Sequence, residues 1–150
     1  MKDYNQSTEF TFYHRTPIQI RFNDIDPVGH VNNAVYQEYF DFGRVSYFDE
    51  VLNFRDTKRD TWLVIANVNT EYINQIYLRD KIWLETKIPR IGNKSLEMHQ
   101  RIILEKYDKQ WIAAYNKTIM VGINLELNQT IPILDSWKKS IALFEKDITF

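Results

Sequence analysis

The fold is decided by residues 23–54, NDIDPVGHVNNAVYQEYFDFGRVSYFDEVLNF. Residues 23–31 contain two aspartates, a proline, a glycine and a histidine, a composition typical of a loop. Asn32 and Asn33 then predict a helix start, because an Asn side chain can accept a hydrogen bond from an unpaired amide of the first turn. We therefore predict a helix of about five turns after this loop.

This helix is apolar on more than one face, unlike a helix that lies on a protein surface. Seven of its residues are aromatic, so it would bury a large area. Gly43 lies in its middle, where Gly costs about 1 kcal/mol relative to Ala, and close approach by another backbone would explain it. We expect a sheet to enclose the helix on most sides, with the polar loop at its N-terminal end.

The rest of the chain predicts strands and one further helix. Residues 12–22 form a first strand, and the residues after the long helix alternate with a period of two, which predicts four long strands in a meander of antiparallel hairpins. The predicted limits are 61–73, 81–91, 95–106 and 110–123. One helical face in the tail carries Leu134, Trp137, Ile141 and Phe144. The fold class is therefore α+β, an antiparallel sheet wrapped around a long central helix, with a short C-terminal helix.

We interpret residues 1–150 as a single domain in which residues 1–11 are frayed. One such sheet cannot bury the helix and both faces of its strands, so we expect a homo-oligomer that pairs sheets edge to edge. The net charge of −1 gives no global field that favours nucleic acid or a membrane surface, and no apolar run is long enough to span a bilayer. We predict a cytoplasmic protein.

Cysteine chemistry is excluded, because the chain contains no cysteine. The three histidines are His14, His30 and His99, and no two of them have helical ligand spacing, so we expect no metal site. His14 and His99 carry no functional argument and are expected on the surface of strands.

Residues 20–36, IRFNDIDPVGHVNNAVY, resemble the signature of hotdog-fold acyl-CoA thioesterases of the 4-hydroxybenzoyl-CoA thioesterase type. The order of elements matches that fold over about residues 14 to 146, and residues 90–96 carry a weaker likeness. The resemblance implies a hotdog fold, an acyl-CoA thioester as the substrate, no cofactor, and active sites at the interface of a homodimer or homotetramer.

The resemblance also implies roles for single residues. Asp26 matches the catalytic aspartate of the family, a backbone amide at about Asn33 matches the oxyanion hole, and Lys94 lies where the coenzyme A phosphates are expected. Some members carry basic residues just before that lysine, where this chain has Gly92 and Asn93.

The loop is also similar to that of plant fatty acyl-acyl-carrier-protein thioesterases, which leaves acyl carrier protein open as the alternative carrier. Asp26 and His30 match that pattern, whereas Val28 replaces an asparagine.

Thioester hydrolysis needs a nucleophile or base beside the carbonyl group and a donor for the developing oxyanion. Asp26 would be ionised at neutral pH, since the reference pKa is about 4, and it would either attack directly or deprotonate water. The helix N-terminus at Asn33 suits the oxyanion. His30 would orient the loop or donate to the carbonyl group. The helix would wall the acyl slot with Tyr36, Tyr39 and Phe40.

Other interpretations remain open. Without the resemblance, Asp26 is a loop-capping residue, and Asp24 positions the loop. Other hotdog thioesterases carry the acid on the helix, where Glu38 or Asp41 would supply it, although an ion pair of Asp41 with Arg44 at i,i+3 is preferred. A hotdog dehydratase is disfavoured because its loop reads G-H-F-P and this one reads G-H-V-N. The alternative that is not an enzyme is a non-catalytic module that binds acyl thioesters.

Overall fold

The structure, a computed structural model, describes residues 10–55 and 59–150. Its elements are β1 (His14–Ile18), a 3-10 turn (Phe22–Asp24), α1 (Asn33–Leu52), β2 (Thr61–Tyr72), β3 (Lys81–Ile91), β4 (Ser95–Lys106), β5 (Lys109–Asn124), β6 (Gln129–Ile131) and α2 (Asp135–Glu145). The predicted limits of β3 and β4 are confirmed, β1 is shorter than predicted, and β6 was not predicted. Residues 1–9 of the segment expected to be frayed lie outside the described residues.

The strands form one antiparallel sheet in the order β1-β3-β4-β5-β2, and β6 pairs with the end of β5. The predicted meander is correct for β3, β4 and β5 but wrong for β2, which pairs with β5 and not with β3. Strand β1 pairs with the outer edge of β3, and His14 lies opposite Thr86. This edge of β3 is therefore not available to β2. Residues 73–80 instead cross the end of the sheet, where the Ile73 amide donates to Ala113 O at 2.9 Å.

Helix α1 packs one face on the sheet and exposes the other. Phe42 and Val45 are 55% and 56% exposed, so the expectation that the sheet encloses the helix on most sides is wrong for the single chain. Gly43 does permit a close approach, but by a side chain and not by a backbone, because an added Cβ would lie 1.6 Å from Leu84 Cδ2. The buried residues of α1 are Tyr36, Tyr39, Phe40, Gly43, Arg44, Tyr47 and Phe48.

Two apolar clusters divide the core along α1. One surrounds its N-terminal half and contains Phe40 and Leu84, and the other surrounds its C-terminal half and includes Trp137 and Ile141 of α2. The polar loop therefore lies at one end of the molecule and α2 closes the other. In the described ranges, no helix is both long and apolar enough to cross a membrane.

The expectation that His14 and His99 lie on the surface of strands is wrong, since they are 2% and 7% exposed. His14 packs edge-on against the Tyr47 ring of α1, and its burial lowers its pKa. His99 lies on the other face of the sheet, where Phe10 covers it and Tyr115 is a hydrogen-bond partner. Both histidines are buried because segments distant in sequence pack over their strands.

Candidate active site

The loop before α1 is anchored by Asp24, which is 1% exposed. Its Oδ2 accepts hydrogen bonds from the Tyr39 hydroxyl at 2.6 Å and the Arg21 amide at 2.8 Å, and its Oδ1 accepts one from Arg21 Nε at 3.0 Å. Burial by itself would raise the pKa of Asp24, but the bonds from Tyr39 and Arg21 outweigh it and hold the pKa below its ordinary value. The Asn32 amide also donates to Asp24 O at 2.9 Å. The expected positioning role of Asp24 is therefore visible in its contacts.

The rest of the loop is a tight turn that carries Asp26 and His30. The Asp26 amide donates to His30 O and the Gly29 amide donates to Asp26 O, both at 3.0 Å. Gly29 has a φ of 97°, a conformation that residues with a Cβ rarely adopt. Asp26 Oδ1 accepts a hydrogen bond from the Val28 amide at 2.9 Å, whereas Oδ2 accepts none from the described residues. The turn therefore holds one carboxylate oxygen and leaves the other available.

Helix α1 begins directly after this turn, with Asn32 as its N-cap. Asn32 Oδ1 accepts a hydrogen bond from the Ala34 amide at 2.9 Å, and Asn32 O accepts one from the Val35 amide, also at 2.9 Å. The Asn33 amide has no acceptor among residues 10–55 and 59–150. An unpaired amide at the positive end of a helix is a good donor for an anionic oxygen.

A cavity of about 290 Å³ opens beside this amide. The Tyr36 and Tyr72 rings meet edge to face in its wall, with centroids 5.2 Å apart. The Tyr36 hydroxyl donates to Asn74 O at 3.3 Å, and burial raises the pKa of Tyr36 to about 12, so it remains a donor at neutral pH. The lining residues are His30, Val31, Asn33, Tyr36, Tyr72, Ile73, Asn74 and Gln75.

Three of the residues predicted for the site line this cavity: His30, Asn33 and Tyr36. Asp26 does not line it but lies in the same turn as His30, to which its amide is bonded. We take this cavity as the candidate site because it is lined by His30 and by Asn33, whose amide is unpaired.

The structure does not bring the other predicted residues to the cavity. Tyr39 lies on a different side of α1, where it binds Asp24 and lines a larger groove of about 680 Å³. Phe40 is fully buried in the apolar cluster at the N-terminal half of α1. Lys94 is exposed in the turn between β3 and β4, beside the other cluster, and within one chain it is at the opposite end of α1.

Sequence reasoning missed the wall that β2 and the following loop supply, namely Tyr72, Ile73, Asn74 and Gln75. The period of two in β2 could have indicated Tyr72, because it predicts that Tyr72 and Thr70 lie on the same face of the strand. Asn74 and Gln75 follow the strand, and nothing in their local sequence indicates that residues 73–80 cross beneath the helix start.

The carboxylates of α1 considered as alternative acids have other partners. Glu38 accepts a hydrogen bond from Arg21 Nη2 at 2.8 Å, and Asp41 is ion-paired with Arg44 as expected. Neither residue lines the cavity.

The sequence profile of the thioesterase-like superfamily matches residues 20–141, which is most of the chain. The chain belongs to this superfamily. Among solved structures, a thioesterase from Thermus thermophilus in complex with coenzyme A and zinc is 27% identical, with a TM-score of 0.75, and the match covers 90% of this chain and 96% of that one. The hotdog fold and the resemblance to acyl-CoA thioesterases of the 4-hydroxybenzoyl-CoA thioesterase type are confirmed.

Two curated relatives from bacteria match a shorter stretch of this thioesterase-like chain. The uncharacterized protein YsmA of Bacillus subtilis (strain 168) is 30% identical over 92 residues, which are 61% of this chain and 60% of that protein. The long-chain acyl-CoA thioesterase FadM of Escherichia coli (strain K12) is 28% identical over 92 residues, which are 61% of this chain and 70% of that protein. The aligned part thus spans less than two thirds of the length of the first relative.

Proposed function

We propose that this protein hydrolyses an acyl-CoA thioester to a free acid and a thiol, with Asp26 as nucleophile or general base. The observation that carries the proposal is the unpaired amide of Asn33, a residue that lines a cavity at the start of α1 beside the turn that holds Asp26. Membership in the thioesterase-like superfamily supports the reaction class. A free donor and a carboxylate at one helix end are groups that thioester hydrolysis requires.

In the proposed reaction the thioester carbonyl oxygen lies against the Asn33 amide. Either Asp26 Oδ2 attacks the carbonyl carbon, or it takes a proton from a water molecule that attacks. The oxyanion forms at the amide, the C–S bond then breaks, and the thiolate leaves and is protonated. In the nucleophilic route the resulting anhydride is hydrolysed by water, which regenerates the Asp26 carboxylate. No cofactor takes part in either route.

His30 and Tyr36 would assist in positioning the substrate. The His30 ring packs edge-on against Tyr77, with centroids 6.2 Å apart, which holds it at the cavity. Either ring nitrogen would donate to the substrate carbonyl group in the appropriate tautomer. Tyr36 contributes an apolar ring face to the acyl group.

The first experiment is hydrolysis of a panel of short, long and aromatic acyl-CoA esters by wild type and Asp26→Asn. The variant should lose at least about 100-fold in kcat, because the catalytic oxygen becomes an amide. Asp108→Asn, in the exposed turn between β4 and β5, is the matched control and should retain wild-type rates. Unchanged turnover by Asp26→Asn with a native thermal transition would exclude the assignment of Asp26.

The carrier is tested in the same panel. Hydrolysis of acyl-acyl-carrier-protein without hydrolysis of any acyl-CoA would identify acyl carrier protein as the carrier. Tight binding of a thioether analogue, without turnover of either ester, would indicate a non-catalytic module.

We also propose that two copies pair through β2. Among the described residues β2 is hydrogen-bonded only to β5, so its other edge is free. Its exposed apolar side chains are Trp62, Ile65, Val68 and Tyr72. An unpaired edge of twelve residues with these side chains is suited to a second copy.

Antiparallel pairing would also explain how Lys94 could reach substrate. Val64 pairs with Val121, which pairs with Ser95, so the first half of β2 is level with the turn that contains Lys94. The end of β2 is level with the helix start, since the Tyr72 hydroxyl donates to Asn33 O at 3.3 Å. A two-fold axis through the middle of β2 would therefore bring each Lys94 towards the other copy's cavity.

Light scattering and kinetics test this arrangement. We expect a dimer or tetramer in solution, and we expect Lys94→Gln to raise the KM for acyl-CoA but not for the matching acyl-pantetheine, which lacks the nucleotide phosphates. Lys139→Gln, an exposed lysine of α2, is the control. A monomer with full activity would contradict the proposal.

A further inference from the structure

A layer of hydrogen-bonded polar side chains lies beside the candidate cavity and meets its wall at Tyr72. Gln37 Nε2 donates to Thr70 Oγ1 at 2.9 Å and to the Tyr72 hydroxyl at 3.4 Å. Asn116 Nδ2 donates to the same Thr70 oxygen at 2.7 Å. Tyr72 in turn donates to Asn33 O, and both residues line the cavity. The space between α1 and β2 next to the cavity is therefore polar.

The polar layer continues deeper beneath α1. The Thr118 hydroxyl donates to Asn116 Oδ1 at 2.7 Å, and Arg44 Nη2 donates to Thr118 Oγ1 at 3.2 Å. The Arg44 side chain is only 7% exposed, and its Nε has no hydrogen-bond partner among the described residues. The apolar cluster at this end of α1 includes Leu84 and Ile102 of β3 and β4, and it reaches the cavity only at Val31 and Tyr36. An alkyl chain directed between α1 and β2 would thus meet polar groups over three helical turns.

The dimensions of the cavity are also small. Its volume of about 290 Å³ is at the lower limit for small-molecule sites, which begin near 300 Å³. Asn33 and Gln37 are one helical turn apart, about 6 Å along the axis. Polar groups of the layer, Tyr72 and then Gln37, therefore begin within one helical turn of Asn33, a length that accommodates only a few carbon atoms.

We infer that the cavity selects short acyl groups that carry a hydroxyl or keto oxygen over long unbranched alkyl chains, an inference that rests on the proposed function. Gln37 and Tyr72 offer hydrogen bonds to such an oxygen. A long alkyl chain that passed between α1 and β2 would break the hydrogen bonds of Asn116 and Thr118, which are fully buried, and would leave them unpaired beside hydrocarbon, which is unfavourable. A polar site rejects an analogue without the matching group much more strongly than an apolar slot rejects an extra hydroxyl.

The test compares kcat/KM for 3-hydroxybutyryl-CoA, butyryl-CoA and palmitoyl-CoA. We expect 3-hydroxybutyryl-CoA to exceed both others by at least about tenfold. Gln37→Leu keeps the approximate size of the side chain and removes its amide, so the preference for the hydroxylated ester over butyryl-CoA should fall about tenfold. Gln129→Leu, on exposed β6, is the matched control and should leave the preference unchanged. Palmitoyl-CoA as the best substrate, or an unaltered preference in Gln37→Leu, would overturn the inference.

Binding separates this inference from the proposed function. Calorimetry would measure the affinity of the non-hydrolysable 3-hydroxybutyl and hexadecyl thioethers of coenzyme A. Tighter binding of the short polar thioether without turnover of any ester supports the selectivity and overturns the hydrolase. Turnover that is fastest with palmitoyl-CoA supports the hydrolase and overturns the selectivity, as does tighter binding of the hexadecyl thioether.

Discussion

The bond from the Tyr39 hydroxyl to Asp24 Oδ2, 2.6 Å long, should contribute measurably to stability. Tyr39 and Asp24 are 4% and 1% exposed, so water cannot replace the lost donor in Tyr39→Phe. A hydrogen bond to a charged group contributes about 1.5–3 kcal/mol, and we expect the free energy of unfolding to fall by that amount at pH 7. Urea denaturation followed by tryptophan fluorescence measures it.

The effect should depend on pH because it requires the ionised carboxylate. The folded-state pKa of Asp24 is lowered, and a group of this kind contributes stability above its unfolded pKa, about 3.9, which is lost as pH falls through the folded value. The difference between wild type and Tyr39→Phe should therefore be constant from pH 7 to about pH 5 and should shrink below about pH 4.

Tyr36→Phe is the matched control. Its hydroxyl donates to a neutral carbonyl oxygen, Asn74 O, at 3.3 Å, and its pKa of about 12 keeps it protonated throughout this range. We expect a loss of about 0.5–1.5 kcal/mol that does not vary with pH. The reasoning is refuted if Tyr39→Phe costs no more than Tyr36→Phe at pH 7, or if its cost is the same at pH 3.5 and pH 7.

Two further substitutions test the core by chemical denaturation. Gly43→Ala places a Cβ 1.6 Å from Leu84 Cδ2, and overpacking should outweigh the gain in helix propensity for a net loss of about 1–2 kcal/mol. Combining it with Leu84→Val should cost less than the sum of the two changes, and strict additivity would contradict the contact. Glu145→Gln should cost about 3 kcal/mol, because the fully buried Glu145 accepts hydrogen bonds from the Tyr47 hydroxyl at 2.7 Å and from buried Lys87 Nζ at 3.3 Å. A loss below about 1 kcal/mol would show that Asp147, 2.6 Å from Lys87 Nζ, is a sufficient partner.

The limits of β3 and β4 could be predicted because their signals are local. Alternation of apolar and polar residues over much of their length indicates the strands, and Gly92 and Asn93 mark the turn between them. The start of α1 was predictable for the same reason, since Asn32 caps a helix through its own neighbours. The pairing of β2 with β5 was not, because alternation determines which face a residue takes and not which strand lies beside it.

The candidate site likewise contains residues that the local sequence indicates and residues that only tertiary contacts bring there. The turn that holds Asp26 and His30 and the unpaired Asn33 amide follow from one continuous stretch, so the sequence indicated both. Tyr72 and Asn74 reach the cavity only because residues 73–80 cross the end of the sheet. That crossing depends on β1 occupying the edge of β3, a contact between residues far apart in the chain.

The sequence by itself thus determined both helices, the long strands β2 to β5 and the family, because helix caps, turn residues and side-chain periodicity act over a few neighbouring residues. Only the tertiary structure decided the strand order, the burial of Arg44 and the polar layer that runs from Tyr72 to Thr118. These features join β2, β5 and α1, and Gln37 and Thr70 meet across 33 positions of sequence. Hydrogen bonds of this range are made only when the whole sheet has closed beneath the helix, so no local pattern records them.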